Sequence, residues 1–507
     1  MKPRVFCLIL SFVLLLGLCP AASASAAWDE QPDAWYEIFV RSFCDSDGDG
    51  LGDLNGVTRK LDYISSLGCG GIWLMPVMPS PSYHKYDVTD YFDIDPEYGT
   101  LEDMRALLAE AHARGIRVIL DLPINHCSSE HPWFRSAADS ETSPFRGWFN
   151  WSAEPQNGYS EINGVWYESR FVASMPDLNL DCSAVREQIA CILRFWLLNV
   201  GVDGFRLDAV TSYYTGDTER NLAFLDWLAD TAHAIRPDCF LVAEAWTDLD
   251  SIARLSEARV DSFFTFPVSQ AEGYIARVLG RANRHPGRSY GEYTALLEET
   301  LPAGTIPAPF TENHDTGRTV GFTGRSSPEK TKMAGGLLCL MRGAVFLYYG
   351  QEIGMVGSGE DPNKRIGMLW TDETSTTLPP PGTTKVEYAY PSVAEQDADP
   401  ASLLNYYRQA LSLRAQFPAI ARGTSTVLPC DFDELCLIRR EYAGEELVLI
   451  VNPSDSWVRL APMSLPAGFR TLAASLCANQ AYTVSYRPVR AGLSMPPYSI
   501  AILTPSA

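Results

Sequence analysis

The chain has 507 residues, 46% of them hydrophobic, with a formal net charge of −22. That hydrophobic fraction supports a large core and excludes a disordered chain, and the length exceeds one ordinary compact domain while suiting an α/β barrel with additions. Lys and Arg form no cluster, which excludes a nucleic-acid footprint, and the acidic balance bears on solubility rather than fold.

The first 26 residues read as an export signal: Lys2 and Arg4, an apolar run from Val5 to Leu18, then the small residues Ala24-Ser25-Ala26. The apolar run is short for a membrane anchor, and Leu18 before Cys19 is too bulky for a lipoprotein cleavage box. Cleavage after Ala26 removes two cations and no acid, taking the charge from −22 to −24. The expected product is a secreted or extracytoplasmic monomer with no membrane association. Ten cysteines remain after cleavage, scattered from Cys44 to Cys477. Export permits disulfides, Cys430 and Cys436 being the first pair to test, while the absence of a close Cys/His cluster argues against zinc.

Strand-like runs are predicted at 35–43, 71–77, 117–123, 204–207, 240–243, 262–266, 308–311 and 344–349. Helix-like stretches lie between them, including 101–113, 185–200 and 222–235; in the second, Val185, Ile189, Ile192, Trp196 and Val200 share one face. Eight alternating units predict a (β/α)8 TIM barrel spanning 27–126 and 185–422. The long Trp-, Asn- and Gly-containing stretch 127–184 predicts a lid domain inserted after strand 3. After a helix at 403–414, short strand-like runs at 435–439, 446–451 and 498–503 predict a C-terminal antiparallel β-sandwich over 423–507.

Three acids lie in short segments at the ends of strand-like runs: Asp208 in Gly204-Phe205-Arg206-Leu207-Asp208, Glu244 in Val242-Ala243-Glu244, and Asp315 in Glu312-Asn313-His314-Asp315, beyond the run at 308–311. Acids at the ends of buried strands are costly to place, and carboxylates converging on one pocket are what glycosidic-bond cleavage requires. Arg206 is two residues from Asp208 and shares its face, so it would keep that carboxylate ionised. Glu244 sits among small apolar residues and Trp246, surroundings that favour a protonated acid. His126, in Asp121-Leu122-Pro123-Ile124-Asn125-His126, and His314 sit at strand ends beside Asn or Asp, suited to sugar hydroxyls.

Taken together and in this order, these segments resemble the α-amylase family, glycoside hydrolase family 13, as does Met175-Pro176-Asp177-Leu178-Asn179. The resemblance runs from about Trp35 to the C-terminus. It implies Asp208 as nucleophile, Glu244 as acid/base and Asp315 as transition-state stabiliser. It also implies Arg206, His126 and His314, with Tyr86 and Asp87, as substrate-binding residues. The implied mechanism is retaining, with carboxyls roughly 5–5.5 Å apart.

The segment Asp45-Ser46-Asp47-Gly48-Asp49-Gly50-Leu51-Gly52-Asp53 places acids at alternating positions among glycines. This matches the opening of an oxygen-ligand Ca2+ loop, with Asp45, Asp47, Asp49, the Leu51 carbonyl and Asp53 as ligands. Gly56 at the position of a closing Glu argues against an EF-hand. The resemblance implies a second calcium position at Asn125 and Asp177. Thr211-Ser212, where many relatives carry Lys-His, departs from that pattern. The Met175–Asn179 motif stands between those of oligo-1,6-glucosidases and neopullulanases. The expected activity is a secreted α-amylase acting on α-1,4-glucan. The alternatives are an α-glucosidase or neopullulanase-like enzyme with α-1,6 or transglycosylation activity and, remotely, a non-catalytic glucan-binding or transporter-associated barrel.

Overall fold

The computed structural model of the protein describes residues 31–371, 377–487 and 492–505, together with Trp28, so the export signal predicted over 1–26 lies outside the described residues. Among the described residues no helix is long and apolar enough to cross a membrane. Eight parallel strands form a barrel: β1 (Ala34–Ile38), β2 (Gly71–Leu74), β3 (Arg117–Leu122), β4 (Gly204–Leu207), β5 (Phe240–Ala243), β6 (Ser262–Phe264), β7 (Ile306–Ala308) and β8 (Val345–Tyr348). They pair in the order β7-β6-β5-β4-β3-β2-β1-β8. Ala344 and Phe346 close the ring by donating their N–H groups to the carbonyls of Pro307 and Pro309 at 2.8 and 3.0 Å. Those prolines have no N–H to return, so the β7–β8 seam is the thinnest in the barrel.

The two ends of the lumen differ in chemistry. Toward the start of the strands it is filled by aromatic rings: Trp35 stacks on Phe240 at 5.1 Å and on Phe346 at 5.8 Å, and Phe264 packs edge-on against Phe346 at 4.8 Å. Gly71 makes room for this layer, since a Cβ there would lie 2.3 Å from the Trp35 ring. Toward the strand ends the lumen carries Glu37, Asp121, Arg206 and His314, all buried. The barrel is thus a packed core beneath a charged floor.

Two element boundaries correct the sequence reading. The first run is a strand only to Ile38, and Val40–Phe43 is a helical turn. A continuous apolar run does not distinguish a buried strand from a buried helix. The seventh strand is Ile306–Ala308 rather than 308–311, with Pro307 in its middle. The helix expected over 185–200 is α-helical from Ser183 to Arg194 and widens to a π-turn over Phe195–Val200; its five apolar-face residues are all buried.

The stretch after β3 builds helix Pro132–Asp139 and a three-stranded antiparallel sheet of Trp151–Ser152, Tyr159–Ile162 and Val165–Glu168. Its aromatics pack on one another. Trp133 stacks on Tyr91 at 5.6 Å, Trp151 stacks on Phe134 at 5.9 Å, and the Arg146 guanidinium sits 3.5 Å over Trp151. The C-terminal region pairs a five-stranded with a three-stranded antiparallel sheet. In strand Glu445–Asn452, Val448 and Ile450 face the sandwich core while Leu447, Leu449 and Val451 join the barrel's core, a period of two that buries both faces. All ten cysteines after the signal are free, including Cys430 and Cys436, which line a shared pocket against helix Pro286–Thr300.

Candidate active site

The ends of β3, β4 and β5 bring three carboxylates onto one guanidinium. Arg206 is 1% exposed and donates through Nη1 to Asp121 at 2.8 Å and to Asp208 at 2.6 Å, while its Nη2 lies 2.9 Å from Glu244. A buried charge needs paired, hydrogen-bonded partners, and here one cation serves three acids. The excess negative charge has consequences. Burial pushes Asp121 up to about 7 against the pull of Arg206, with Asp208 adding to the rise. Burial likewise raises Glu244; Arg206 opposes this, and Asp208 and Asp315 reinforce it. A carboxyl whose proton is held above the ordinary range is suited to proton donation near neutrality.

The backbone contributes directly. Ala209, next after Asp208, is held at φ +47°, and its N–H donates to Glu244 at 2.9 Å. A left-handed conformation in a residue other than glycine costs about 1–2 kcal/mol. Here it aims a donor from the strand bearing one acid at the acid on the next strand.

A second group of side chains flanks the cluster. Tyr86 donates its hydroxyl to Asp121 at 2.9 Å and lies 2.7 Å from Nε2 of His314, with the two rings stacked at 5.6 Å. His314 Nδ1 is 2.6 Å from Glu37, and its Nε2 is 2.9 Å from Asp315. Arg365 grips Asp315 at 2.7 Å and also donates to the His314 carbonyl at 3.0 Å. Burial alone would raise Asp315, but His314 and Arg365 hold it well below the usual carboxylate range. Its side chain remains 28% exposed, open to the mouth of the barrel.

His126 is 2% exposed, burial lowers its pKa, and its ring centroid is 5.3 Å from that of the half-exposed Phe171. Asp87 is placed differently. Its Oδ1 accepts from the hydroxyls of Ser80, at 2.6 Å, and Ser82, fixing the loop that presents Tyr86. On the other side of Glu244, Trp246 is 50% exposed and stacked on Phe266 at 5.0 Å. It opens a cleft of about 430 Å3 lined also by Thr247, Gln270, Glu272 and Tyr274.

The acidic loop forms at the end of β1. Asp45, Asp47 and Asp49 each offer an oxygen within 4.8 Å of the others. Asp45 is buried and takes N–H groups from Asp47, Gly48 and Gly50, at 3.1, 2.6 and 2.8 Å. Gly48 and Gly50 sit at φ +89° and +92°, a wrap open to glycine, and a Cβ on Gly50 would lie 2.7 Å from Leu378. Asp53 uses both oxygens on backbone, accepting from Ser46 at 2.8 Å and capping helix Leu54–Arg59 through Gly56 at 2.7 Å. An all-oxygen donor set with a buried anchor, and among the described residues no cation paired with it, fits a hard divalent ion. The second predicted position looks otherwise. Asn125 donates to Asp177 at 3.0 Å and the Arg170 N–H to its other oxygen at 3.1 Å. Among the described residues the only three-membered His, Cys, Asp or Glu cluster of metal-binding spacing is the Asp45 loop.

Sequence reasoning did not reach Glu37, Ala209, Arg365 or Trp73, whose indole N–H donates to Asp121 at 3.2 Å. Glu37 carried a signal, being an acid inside an apolar strand. Arg365 lies in an irregular segment after β8, where no periodicity marks it.

The α-amylase catalytic-domain family matches residues 37–423. Alpha-amylase 3 of Dictyoglomus thermophilum is 36% identical over 463 residues, covering 88% of this chain and 89% of that one. An oligo-1,6-glucosidase of Parageobacillus thermoglucosidasius is 29% identical over 506 residues, covering 83% and 89%. Among solved structures, Eubacterium rectale Amy13B superposes with a TM-score of 0.89 at 41% identity, covering 95% of this chain and 98% of that one.

Proposed function

The chain belongs to the α-amylase family of glycoside hydrolases, and we propose that it is an α-amylase cleaving α-1,4 bonds of starch-like glucans with retention. The observation that carries this reading is the single buried Arg206 holding Asp121, Asp208 and Glu244, beside the buried His126. Asp208, paired with Arg206, attacks the anomeric carbon while Glu244 protonates the leaving oxygen. A glycosyl ester forms on Asp208; Glu244, now a carboxylate, takes a proton from water, which releases the sugar. Asp315 and Arg365 face the sugar's hydroxyls, His126 supplies a further donor, and the Trp246 cleft takes the leaving-group side.

Calcium, when bound, would supply a fixed positive charge to the loop. Asp45, Asp47 and Asp49, the Leu51 carbonyl and Asp53 would hold it and tie the loop to helix Leu54–Arg59. We further propose that the protein is exported, which the pattern of residues 1–26 supports, and that it is a monomer. Sequencing a mature N-terminus that begins at Ala27 would support export, and an intact Met1 on protein from the producing cell would count against it.

A second reading has its own support. The Met175–Asn179 motif and the similarity to an oligo-1,6-glucosidase favour an enzyme that accepts short or branched substrates. The product profile decides. Purified protein with calcium is given soluble starch, pullulan and maltose, with Asp208→Asn as blank. Maltooligosaccharides from starch with maltose untouched are expected. Glucose from maltose, or panose from pullulan, would move the assignment to the second reading.

A further inference from the structure

We propose that Glu37 is a positioning residue for this reaction: from the middle of β1 it holds His314 as an imidazolium and, through it, fixes Asp315 and Tyr86 at the cleavage point. The inference rests on the retaining-hydrolase reading above and adds a residue that touches no substrate.

The argument is one of donors and acceptors. His314 is fully buried and Glu37 is 1% exposed. Nδ1 of His314 lies 2.6 Å from Oε1 of Glu37, and that same oxygen is 3.4 Å from the His314 backbone N–H. Nε2 faces Asp315 at 2.9 Å and the Tyr86 oxygen at 2.7 Å. Tyr86 has one hydroxyl proton and gives it to Asp121. Toward His314 the Tyr86 oxygen must therefore accept, which requires a proton on Nε2. Glu37 on the opposite side requires one on Nδ1. A neutral imidazole has a single N–H and would turn a lone pair toward one of the two carboxylates. With Glu37 as a carboxylate, only the cation satisfies both; burial raises Glu37, and His314 and Arg206 pull it back.

The charged and titratable groups around this unit come from several strands. Glu37 is on β1, Tyr86 follows β2, Asp121 ends β3, Arg206 is on β4, Asp315 is beside His314 after β7, and Arg365 and Tyr348 come from the β8 side. Burial would lower His314, but Asp315 and Glu37 together push it up to about 10. The sign follows: the imidazolium persists through neutrality and is lost as pH rises through that value. Removing the negative charge of Glu37 brings the loss down toward the working range.

The test is Glu37→Gln, which keeps shape and an acceptor oxygen but removes the charge. The first readout needs no substrate. The imidazole 15N resonances of His314, identified by their absence in His314→Gln, are followed in wild type from pH 5 to 10. Two protonated nitrogens through at least pH 8 are expected, with titration moved below that in Glu37→Gln. The second readout is kcat/KM against pH on the best glucan substrate. Its alkaline limb should move down by about one unit or more in the variant, with kcat falling more than KM rises. A neutral His314 in wild type at pH 7, or a variant with wild-type charge and pH profile, would overturn the proposal. If no glucan is cleaved the functional reading fails separately, while the resonances still decide the role of Glu37.

Discussion

Two acidic clusters in this protein have similar composition and opposite designs. Around Arg206, three carboxylates are buried on one fixed cation, and burial has raised at least two of them. In the loop after β1, three carboxylates crowd together with two of them exposed, and backbone N–H groups are their recorded hydrogen-bond donors. The first arrangement brings its counter-charge in the chain and leaves a proton to be exchanged. In the second, among the described residues, no cation is paired with the three acids, an arrangement that fits a cation taken from solution. Similar side chains thus suit proton chemistry or ion capture according to whether the fold supplies the cation.

The largest effect should come from the cluster's nucleophile. Asp208→Asn is expected to lower turnover on starch by about 10^4-fold or more while leaving circular dichroism and the melting temperature near wild type. Near-normal turnover would remove Asp208 from the chemistry. Next, Glu244→Gln should cost about 10^2–10^4-fold in kcat, less on substrates with an activated leaving group that needs no proton. The wild-type alkaline limb should lie above the ordinary glutamate range, because the acid form survives below a raised pKa. A limb unaltered in the variant would separate Glu244 from proton transfer.

Removing the cation tests the cluster's design rather than its chemistry. Arg206→Met strands three buried carboxylates and should cost about 3–5 kcal/mol of stability, read from denaturant unfolding, with the loss shrinking at low pH as the acids take up protons. Equal stability across pH would mean that the cluster does not depend on Arg206.

The loop predicts a smaller, ion-dependent effect. Calcium at about one hundred times its dissociation constant should stabilise the fold by about 2.7 kcal/mol, seen as a higher melting temperature that chelation reverses. Asp45→Asn should abolish this response with little change in kcat. A chelator-insensitive melting curve would leave the loop as a solvated acidic turn.

How much of this was legible in the chain depended on local contrast. Strands β4 and β5 fall at the residues expected, because a short buried run, interrupted in β4 only by Arg206, ends abruptly at an acid in each case. β1 was overread, because Phe39 and Val40–Phe43 continue the apolar run into a buried helical turn. β7 was misplaced by two residues, because Pro307 hides a strand that the barrel imposes from both neighbours. At the site, residues with motif-like neighbours could be named in advance. Arg365 could not, since its role comes from a loop folding back over Asp315. Trp133, Trp148 and Trp151 could be lid core or sugar platforms from sequence alone; their mutual packing assigns them to the lid.

The central claim is that Asp208 forms a covalent bond to sugar. Incubating the enzyme with 5-fluoro-α-glucosyl fluoride and mapping the labelled peptide by mass spectrometry tests it directly. The account predicts one added fluoroglucosyl unit on the peptide bearing Asp208, at that carboxylate. A label on Glu244 or Asp315, or a substrate turned over with no labelled carboxylate, would contradict it.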